Sequence, residues 1–497
     1  MKLNQLLKAI EIQNNQPSTD MDVSGISYHS QKVEEGHLFV CIRGYKTDGH
    51  RFLADAASRG AKVAVVEVIQ EDVAIPQILV ENSRSALAQI AAVYYNHPSE
   101  KMKMIGITAT NGKTTTSYMA NAILEQHALK TGLIGTVNVK NGETSIPSEL
   151  TTPESLDLQY FLNEMAHNDV SHVSMEVSSA ALEMHRVEAV DYDIVSLHNI
   201  SQEHVDTHGS FERYFEVKSS LIRDASENSF AILNLDDTYS ASLIEKTDAN
   251  VIAFGVNSDK GTIRCKDLDL STGRAKFTFE ILKPFTVDDI EYKPSQFNVE
   301  LAVPGLHSVY NSMVSIIIGL LNGVPVQTIQ QSLKEFTGVP RRFEFIYEDK
   351  FKVVDDHFAN PGNIKVTLKT IHFMDYNNLH VVYAIRGGRG AKINRDNAEV
   401  LANWAAELGI DEVTATSSVS HTTEKDKVTT EELDAFMNVM AEADINVHLY
   451  DELPDAINES LSKAVEDDLI LLAGCQGMDY GAGVVLDQLS PEDVKMK

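Results

Sequence analysis

Apolar positions along the chain change rhythm three times. From residue 1 to about 100, short apolar runs such as His37-Leu-Phe-Val-Cys-Ile42 and Ala61-Lys-Val-Ala-Val-Val66 are interspersed with helical stretches such as Ser83 to Tyr95. From about 101 to 335 the strand-length runs are Met104 to Ile107, Val173 to Val177, Ile194 to Leu197, Phe230 to Leu233 and Val251 to Phe254. They recur between segments of helical period, and this alternation predicts a mostly parallel sheet covered by helices. Ala275 to Val303 differs: Lys276-Phe-Thr-Phe-Glu-Ile281 and Phe297-Asn-Val-Glu-Leu301 alternate with period 2, which predicts an antiparallel insert. After Gly338-Val-Pro-Arg-Arg342 a second α/β series begins, with strands at Lys352 to Val354, Leu379 to Ile385, Glu412 to Ala415 and Asp468 to Ala473. The expectation is an α/β protein of three domains, spanning 1–100, 101–336 and 337–497.

Length and composition agree with this division. A chain of 497 residues accommodates about three domains of ordinary size. With 43% hydrophobic and 23% charged residues it has the make-up of a soluble globular protein. Cys41, Cys265 and Cys475 stand too far apart for a disulfide framework or a metal cluster, which fits a reducing compartment. The N-terminal residues lack the apolar core of a signal peptide, and no stretch approaches a membrane span, so a cytoplasmic location is expected. A formal charge of −30 argues against nucleic-acid and anionic-membrane partners. Any phosphate site must be built from local cations, helix N-termini and bound metal, against the field of the whole protein.

One segment has that chemistry. Gly106-Ile-Thr-Ala-Thr110-Asn111-Gly112-Lys113-Thr114-Thr115-Thr116 follows the Met104–Ile107 strand and opens an amphipathic helix carrying Met119, Ile123 and Leu124. Such a turn directs successive backbone N–H groups and the positive end of a helix dipole at one point, where they bind phosphate. Lys113 would reach the β- and γ-phosphates of ATP, and Thr114 would offer its hydroxyl to Mg²⁺. Five residues rather than four separate Gly106 from Gly112, so the strand-before, helix-after context carries the assignment.

Three further groups lie downstream. Glu176, in Met175-Glu-Val-Ser178-Ser179, ends a strand where ligands gather in open parallel sheets, which makes it a candidate Mg²⁺ ligand. His198-Asn-Ile-Ser-Gln-Glu-His204-Val-Asp-Thr-His208-Gly209 is rich in histidine and carboxylate, yet its order fits no zinc motif. Lys218 alone reads as an ordinary surface lysine of a helix.

Taken in order, these segments, with Thr151-Thr152-Pro153-Glu154-Ser155, Arg186-Val187, Asn234-Leu-Asp236-Asp237, Asn311 and Val339-Pro-Arg-Arg342-Phe-Glu344, resemble the Mur ligase family, and within it the tripeptide-forming branch. Gly25-Ile-Ser-Tyr-His-Ser30-Gln-Lys-Val and Gly44-Tyr-Lys-Thr-Asp48-Gly49-His50 look like that branch's uridine-nucleotide domain. The resemblance implies a uridine-nucleotide-type α/β domain, a P-loop ATPase-type central domain and a Rossmann-like C-terminal domain. It further implies an ATP-dependent ligase, read as a monomer, whose partners are a UDP-muramoyl-peptide and an amino acid. Such enzymes move the γ-phosphoryl of ATP onto a carboxylate, and an amine then displaces phosphate to leave an amide.

The resemblance also implies residue roles. Lys113 would neutralise phosphate charge, within a nucleotide loop that includes Gly106, Thr110, Asn111, Gly112, Thr114 and Thr115. Thr114 and Glu176 would bind one Mg²⁺; His204 and a carbamoylated Lys218 would hold a second. Thr151, Thr152, Ser178 and Arg186 would hold the muramoyl-peptide, Ser30 the uracil, Asn311 the adenine and Arg342 a phosphate. Asn360 and Asp479 would face the amino acid.

Departures from the family concentrate in the last domain. A phosphate-loop glycine is Ala109, the histidine after the strand-end serines is Ala180, and the Asp-Ser-Arg signature is His29-Ser30-Gln31. Asp-Tyr-Ala-His-Asn-Pro becomes Asp356-His-Phe-Ala-Asn360-Pro361, and Gly-Lys-Gly-His-Glu becomes Gly474-Cys-Gln-Gly-Met-Asp479, with Asp479 offering a carboxylate to a distal ammonium. The Asp-Asn-Pro-Arg motif that reads diaminopimelate is replaced by Thr416-Ser-Ser-Val-Ser-His421. An arginine that pairs bidentately with a carboxylate is not replaced silently, so a third substrate other than diaminopimelate is expected. Two alternatives stand beside this reading: the same chemistry on a non-peptidoglycan acid, and an inactive ATP-binding homologue. Retention of Lys113, Thr114, Glu176, His204 and Lys218 argues against the second; Thr151-Thr152-Pro153 and Arg186 argue against the first.

Overall fold

The continuous apolar runs form parallel strands in two compact units, described from a computed structural model covering residues 1–13, 20–44, 47–201, 209–271 and 273–489. The first unit comprises Met1–Thr262 with Val314–Pro325, the second Ile263–Met313 with Val326–Lys497.

The first unit holds two sheets. Ile26–Ser27, Leu38–Val40, Val63–Val66 and Gln77–Leu79 pair in parallel in chain order. They share one core with the helices Leu3–Leu7 and Ser83–Tyr94, through Leu3, Leu6, Val40, Val65, Leu87 and Ile90. In the other sheet six parallel strands lie in the order Asn250–Gly255, Phe230–Asn234, Ile194–Leu197, Lys103–Thr108, His172–Glu176, Thr131–Ile134. An antiparallel hairpin, Asn138–Asn141 and Thr144–Pro147, extends it past Thr131–Ile134. The expected strands form because both faces of the sheet are covered: Met104, Ile105, Ile107, Val173, Met175, Val195 and Leu197 are all buried.

Register then places the chemistry. Ile107 lies opposite Glu176, and Thr108 opposite Leu197. The carboxyl ends of three adjacent strands therefore finish together, where the helix Lys113–Gln126 begins. Gly112 caps that helix at φ +91°, a left-handed conformation that glycine adopts without steric penalty.

In the second unit the expected antiparallel insert spans Ile263–Asp269, Arg274–Ile281 and Ser295–Pro304, with a small hairpin of Phe285–Val287 and Ile290–Tyr292. The six-stranded sheet that follows runs Glu344–Glu348, Lys352–Asp356, Leu469–Ala473, Leu379–Ala384, Glu412–Thr416, Asn446–Tyr450, all parallel except the first. Its core includes Tyr383 and Phe436, whose rings stack 4.9 Å apart. No helix among the described residues is long and apolar enough to cross a membrane.

Asp468 pins the start of this sheet. Its carboxylate accepts from Asn378 N (3.0 Å), Asn378 Nδ2 (2.9 Å) and Val465 N (3.0 Å), and meets His380 Nε2 at 3.0 Å. Burial pushes its pKa up, but the bonds from Val465, His380 and Asn378 prevail and hold it below the ordinary 3.8. The stabilisation is therefore present above about pH 3.8 and is lost as pH falls through the lower folded value. Asp468→Asn should cost about 1–3 kcal/mol at pH 7. Urea unfolding at pH 7 and pH 3 should show the gap to wild type shrinking in acid; a pH-independent gap would contradict this role.

Candidate active site

The phosphate-type loop is held by the next strand's continuation. Asn199, just beyond Ile194–Leu197, accepts from Asn111 N through Oδ1 (2.9 Å) and donates from Nδ2 to Asn111 O (2.8 Å). Its backbone carbonyl accepts from Thr110 N at 3.0 Å. Thr110 Oγ1 lies 3.0 Å from Tyr214 Oη and accepts from Ser201 N at 3.0 Å. The loop is thus braced on both sides before any ligand is considered. Asn199 belongs to a segment singled out by sequence, but spacing alone does not reveal that it clamps the loop.

Two lysines converge on one carbonyl. Lys113 Nζ donates to Ala109 O (2.9 Å) and Thr110 O (3.1 Å). Lys218, on the helix Phe211–Arg223, donates to Ala109 O (2.5 Å) and Thr108 Oγ1 (3.2 Å), and lies over the Tyr214 ring at 5.3 Å from its centroid. It is 2% exposed, so it is no surface lysine. His198 is fully buried nearby. Burial first, then the charges of Lys113 and Lys218, push its pKa down to about 3, so it is neutral at physiological pH.

Glu176 is also fully buried, and its carboxylate faces oxygen and nitrogen donors. Thr114 Oγ1 donates to Oε2 (2.9 Å), Thr136 Oγ1 to the same oxygen (3.1 Å), and Thr136 N to Oε1 (2.8 Å). A carboxylate beside threonine hydroxyls at a helix N-terminus is a hard-oxygen set suited to Mg²⁺. Among the described residues no cluster of three His, Cys, Asp or Glu side chains is arranged to cage a metal. Sequence reasoning missed Thr136 and the glycine before it, which come from the base of the 138–147 hairpin. Ser148 Oγ closes that base by donating to Gly135 O at 2.6 Å.

The expected acceptor residues gather beside Glu176. Thr151 Oγ1 is 3.1 Å from Thr136 Oγ1. Thr152 Oγ1 donates to Glu176 O (2.8 Å) and accepts from Ser178 N (3.1 Å), while Ser178 Oγ caps the next helix by accepting from Ala181 N (3.1 Å). Arg186 Nη1 donates to Thr152 O at 3.1 Å. Gly106 lies within the loop strand, Thr115 is half-buried in the first turn after Gly112, and Ser30 is buried at the start of the short turn Ser30–Lys32. His204 lies outside the described residues.

The other expected residues belong to the second unit. Asn311 is buried in the helix Leu306–Leu321. Asn360 caps the helix Pro361–His372, accepting from Asn363 N at 2.9 Å. Asp479, expected to offer a carboxylate to a distal ammonium, is paired with Arg341, which also reaches Asp355 (3.2 Å) and the carbonyls of Cys475 and Gly474. Burial, followed by the charges of Arg342, Arg341 and Arg386, pushes the pKa of His357 down to about 3.

Family models and named proteins match most of the chain. Residues 22–95 match the Mur ligase family catalytic domain, 107–319 the Mur ligase middle domain, and 341–476 the Mur ligase glutamate ligase domain. The chain is 33% identical to the UDP-N-acetylmuramoyl-L-alanyl-D-glutamate–2,6-diaminopimelate ligase of Caldanaerobacter subterraneus subsp. tengcongensis, covering 99% of this chain and 97% of that protein. It is 34% identical to the enzyme of the same name from Clostridium botulinum, covering 97% and 95%. A solved structure of a ligase of that name shares the fold at TM-score 0.69 and 22% identity, covering 95% of this chain and 93% of the other. The MurF ligase of Thermotoga maritima in complex with ADP does so at 0.60 and 21%, covering 93% and 96%.

Gly135 must stay a glycine for Glu176 to remain in place, since a Cβ there would meet Glu176 Oε1 at 2.4 Å. Gly135→Ala should weaken Mg²⁺-dependent nucleotide binding at least about tenfold, or ~1.4 kcal/mol. Titration of ATP with and without Mg²⁺ measures it, and wild-type binding would show that the carboxylate's position is not critical.

Proposed function

The chain belongs to the Mur ligase family of ATP-dependent, ADP-forming ligases, and from that premise we propose that it joins an amino acid to a free carboxylate of the glutamate in UDP-N-acetylmuramoyl-L-alanyl-D-glutamate, a peptidoglycan precursor. The observation that carries this reading is the pairing of buried Glu176 with Thr114 at the loop helix, next to the two lysines that meet on Ala109 O.

Phosphoryl transfer asks a protein mainly for position and charge neutralisation. An acceptor carboxylate oxygen attacks the γ-phosphorus, the bond to ADP breaks, and an acyl phosphate results. The amine of the incoming amino acid then adds to the acyl carbon, phosphate departs, and the nitrogen loses a proton to leave the amide. Lys113 supplies positive charge to the phosphates that the acidic surface of the protein cannot. Thr114 and Glu176 would hold Mg²⁺, which when bound neutralises phosphate charge. Thr151, Thr152, Ser178 and Arg186 orient the acceptor beside the loop. Recognition of the amino acid falls to the second unit.

Lys218 is proposed to carry a carbamate: the neutral ε-amine adds to CO₂, a nitrogen–carbon bond forms, and the nitrogen's proton is released. That turns a buried cation into an oxygen-bearing anion suited to a hard metal ion. Incubation with ¹³C-bicarbonate should yield a carbamate NMR signal that is absent from Lys218→Ala, and short carboxylates should partly restore that variant's activity. Full activity of Lys218→Ala would remove the assignment.

The amino acid is proposed to be other than diaminopimelate, although the named relatives take that substrate. In the segment that replaces the arginine motif, Ser418 Oγ donates to Gly477 O (2.6 Å), and Ser420 donates to the Glu452 carboxylate from Oγ (2.7 Å) and N (3.3 Å). A distal carboxylate here would meet an anion and no arginine from that segment, a mismatch of a few kcal/mol (~2). Phosphate release from ATP, with this acceptor and a panel of acidic, basic and neutral amino acids, tests both points. Activity should depend on acceptor and amino acid, fall at least about a hundredfold in Lys113→Ala, and disfavour diaminopimelate. Preference for diaminopimelate would overturn the substrate reading, and acceptor-independent release would overturn the function.

A further inference from the structure

Glu154 is shared between two arginines. Its Oε1 pairs with Arg186 Nη2 at 2.8 Å and its Oε2 with Arg84 Nη1 at 2.9 Å. All three side chains are nearly sealed from water, with 13–14% exposed. Arg84 stands in the first turn of the helix Ser83–Tyr94, where Asn82 accepts from its backbone N–H at 2.9 Å, and its Nε donates to Arg43 O at 2.8 Å. Further bonds tie the start of that helix to the turn carrying Arg186. Asn82 Nδ2 lies 3.0 Å from His185 Nε2, and Ser85 Oγ donates to Glu188 Oε1 at 2.5 Å.

Two guanidiniums share one directly bonded carboxylate in a poorly solvated place. Arg186 Nε is buried and has no hydrogen-bond partner among the described residues. A buried, unpartnered donor on a charged group is costly unless an acceptor completes it. Arg84 competes for the same carboxylate through Oε2, so Glu154 divides its pairing between the two guanidiniums. Without Arg84, both carboxylate oxygens would be available to close on Arg186 as a bidentate pair and cancel its charge.

We propose that Arg84 is a positioning residue for the acceptor: by sharing Glu154 it keeps that carboxylate from closing fully on Arg186 and leaves the Arg186 guanidinium open toward the acceptor's carboxylate. This rests on the acceptor reading given above. Thr152 links the same arginine to the strand end at Glu176, since its carbonyl accepts from Arg186 and its hydroxyl donates to Glu176 O. The arrangement therefore sets where a carboxylate sits relative to the phosphate loop.

Equilibrium binding of UDP-N-acetylmuramoyl-L-alanyl-D-glutamate and steady-state phosphate release, measured side by side on the full chain, test it. Arg84→Met should weaken acceptor binding and raise the acceptor KM about tenfold, with kcat at saturating acceptor and the KM for ATP within about twofold of wild type. Arg84→Lys should fall between the two. Adding Glu154→Gln to Arg84→Met should recover acceptor affinity, because the amide cannot neutralise Arg186; a merely structural pair would lose further. Unchanged acceptor binding in Arg84→Met, parallel losses in both KM values and kcat, or no recovery in the double variant would overturn the proposal. Should Arg84→Met not fold, Glu154→Gln alone must retain acceptor binding, and its loss would count equally against it. A wild-type protein that binds the acceptor without ligating it would sink the proposed function and leave this inference standing.

Discussion

The register of three neighbouring parallel strands is the constraint on which the site depends. With Ile107 opposite Glu176 and Thr108 opposite Leu197, the loop, the metal-type carboxylate and the loop-clamping Asn199 all leave the sheet at one level. A slip of one residue in His172–Glu176 would turn Glu176 to the other face, and one in Ile194–Leu197 would carry Asn199 off the loop. The register is strongly specified because the strands are buried on both sides, so packing along their whole length fixes a position at their ends. Stability of the core and geometry of the site are the same fact here.

Charge is handled locally. A chain of formal charge −30 sets some of its positive groups in poorly solvated places: Lys113 and Lys218 on one carbonyl, Arg84 and Arg186 on one carboxylate. Burial weakens screening, so each cation counts for more there than at the surface. His198 and His357 follow the same logic in reverse, since the surrounding cations and the loss of water hold both rings neutral. The acidic exterior then contributes little to a phosphate site except long-range repulsion that salt would screen.

What the sequence made legible follows from how local each signal is. The loop, the helix it opens and Glu176 come from contiguous patterns, an apolar run ending in glycine and threonine or in a carboxylate, and the structure holds them together. The antiparallel insert was legible because period-2 alternation in 276–281 and 297–301 marks strands with one buried face. Lys218 was legible only through the family resemblance, as a lysine inside a helix reads as solvated until the fold buries it against Tyr214. Thr136, forty residues before Glu176, and Arg84, seventy before Glu154, leave no periodic trace because only tertiary folding brings them near. Asn446–Tyr450 escaped for a different reason: it is an edge strand, partly exposed, with Asn and His among its residues.

The hairpin between 138 and 147 is a detour with closed ends. Ser148 Oγ bonds to Gly135 O at one end, and Thr136 Oγ1 meets Thr151 Oγ1 across the other, so the chain leaves and re-enters the site at nearly the same place. A loop whose ends are tied can change length at small entropic cost, about 0.6 kcal/mol for each doubling. The tip near Gly142 is therefore free to lengthen, shorten or take on another domain without moving Thr136 or Thr151. Descendants of this chain could acquire new surface chemistry there, beside the amino end of Thr131–Ile134 and outside the geometry that performs the reaction.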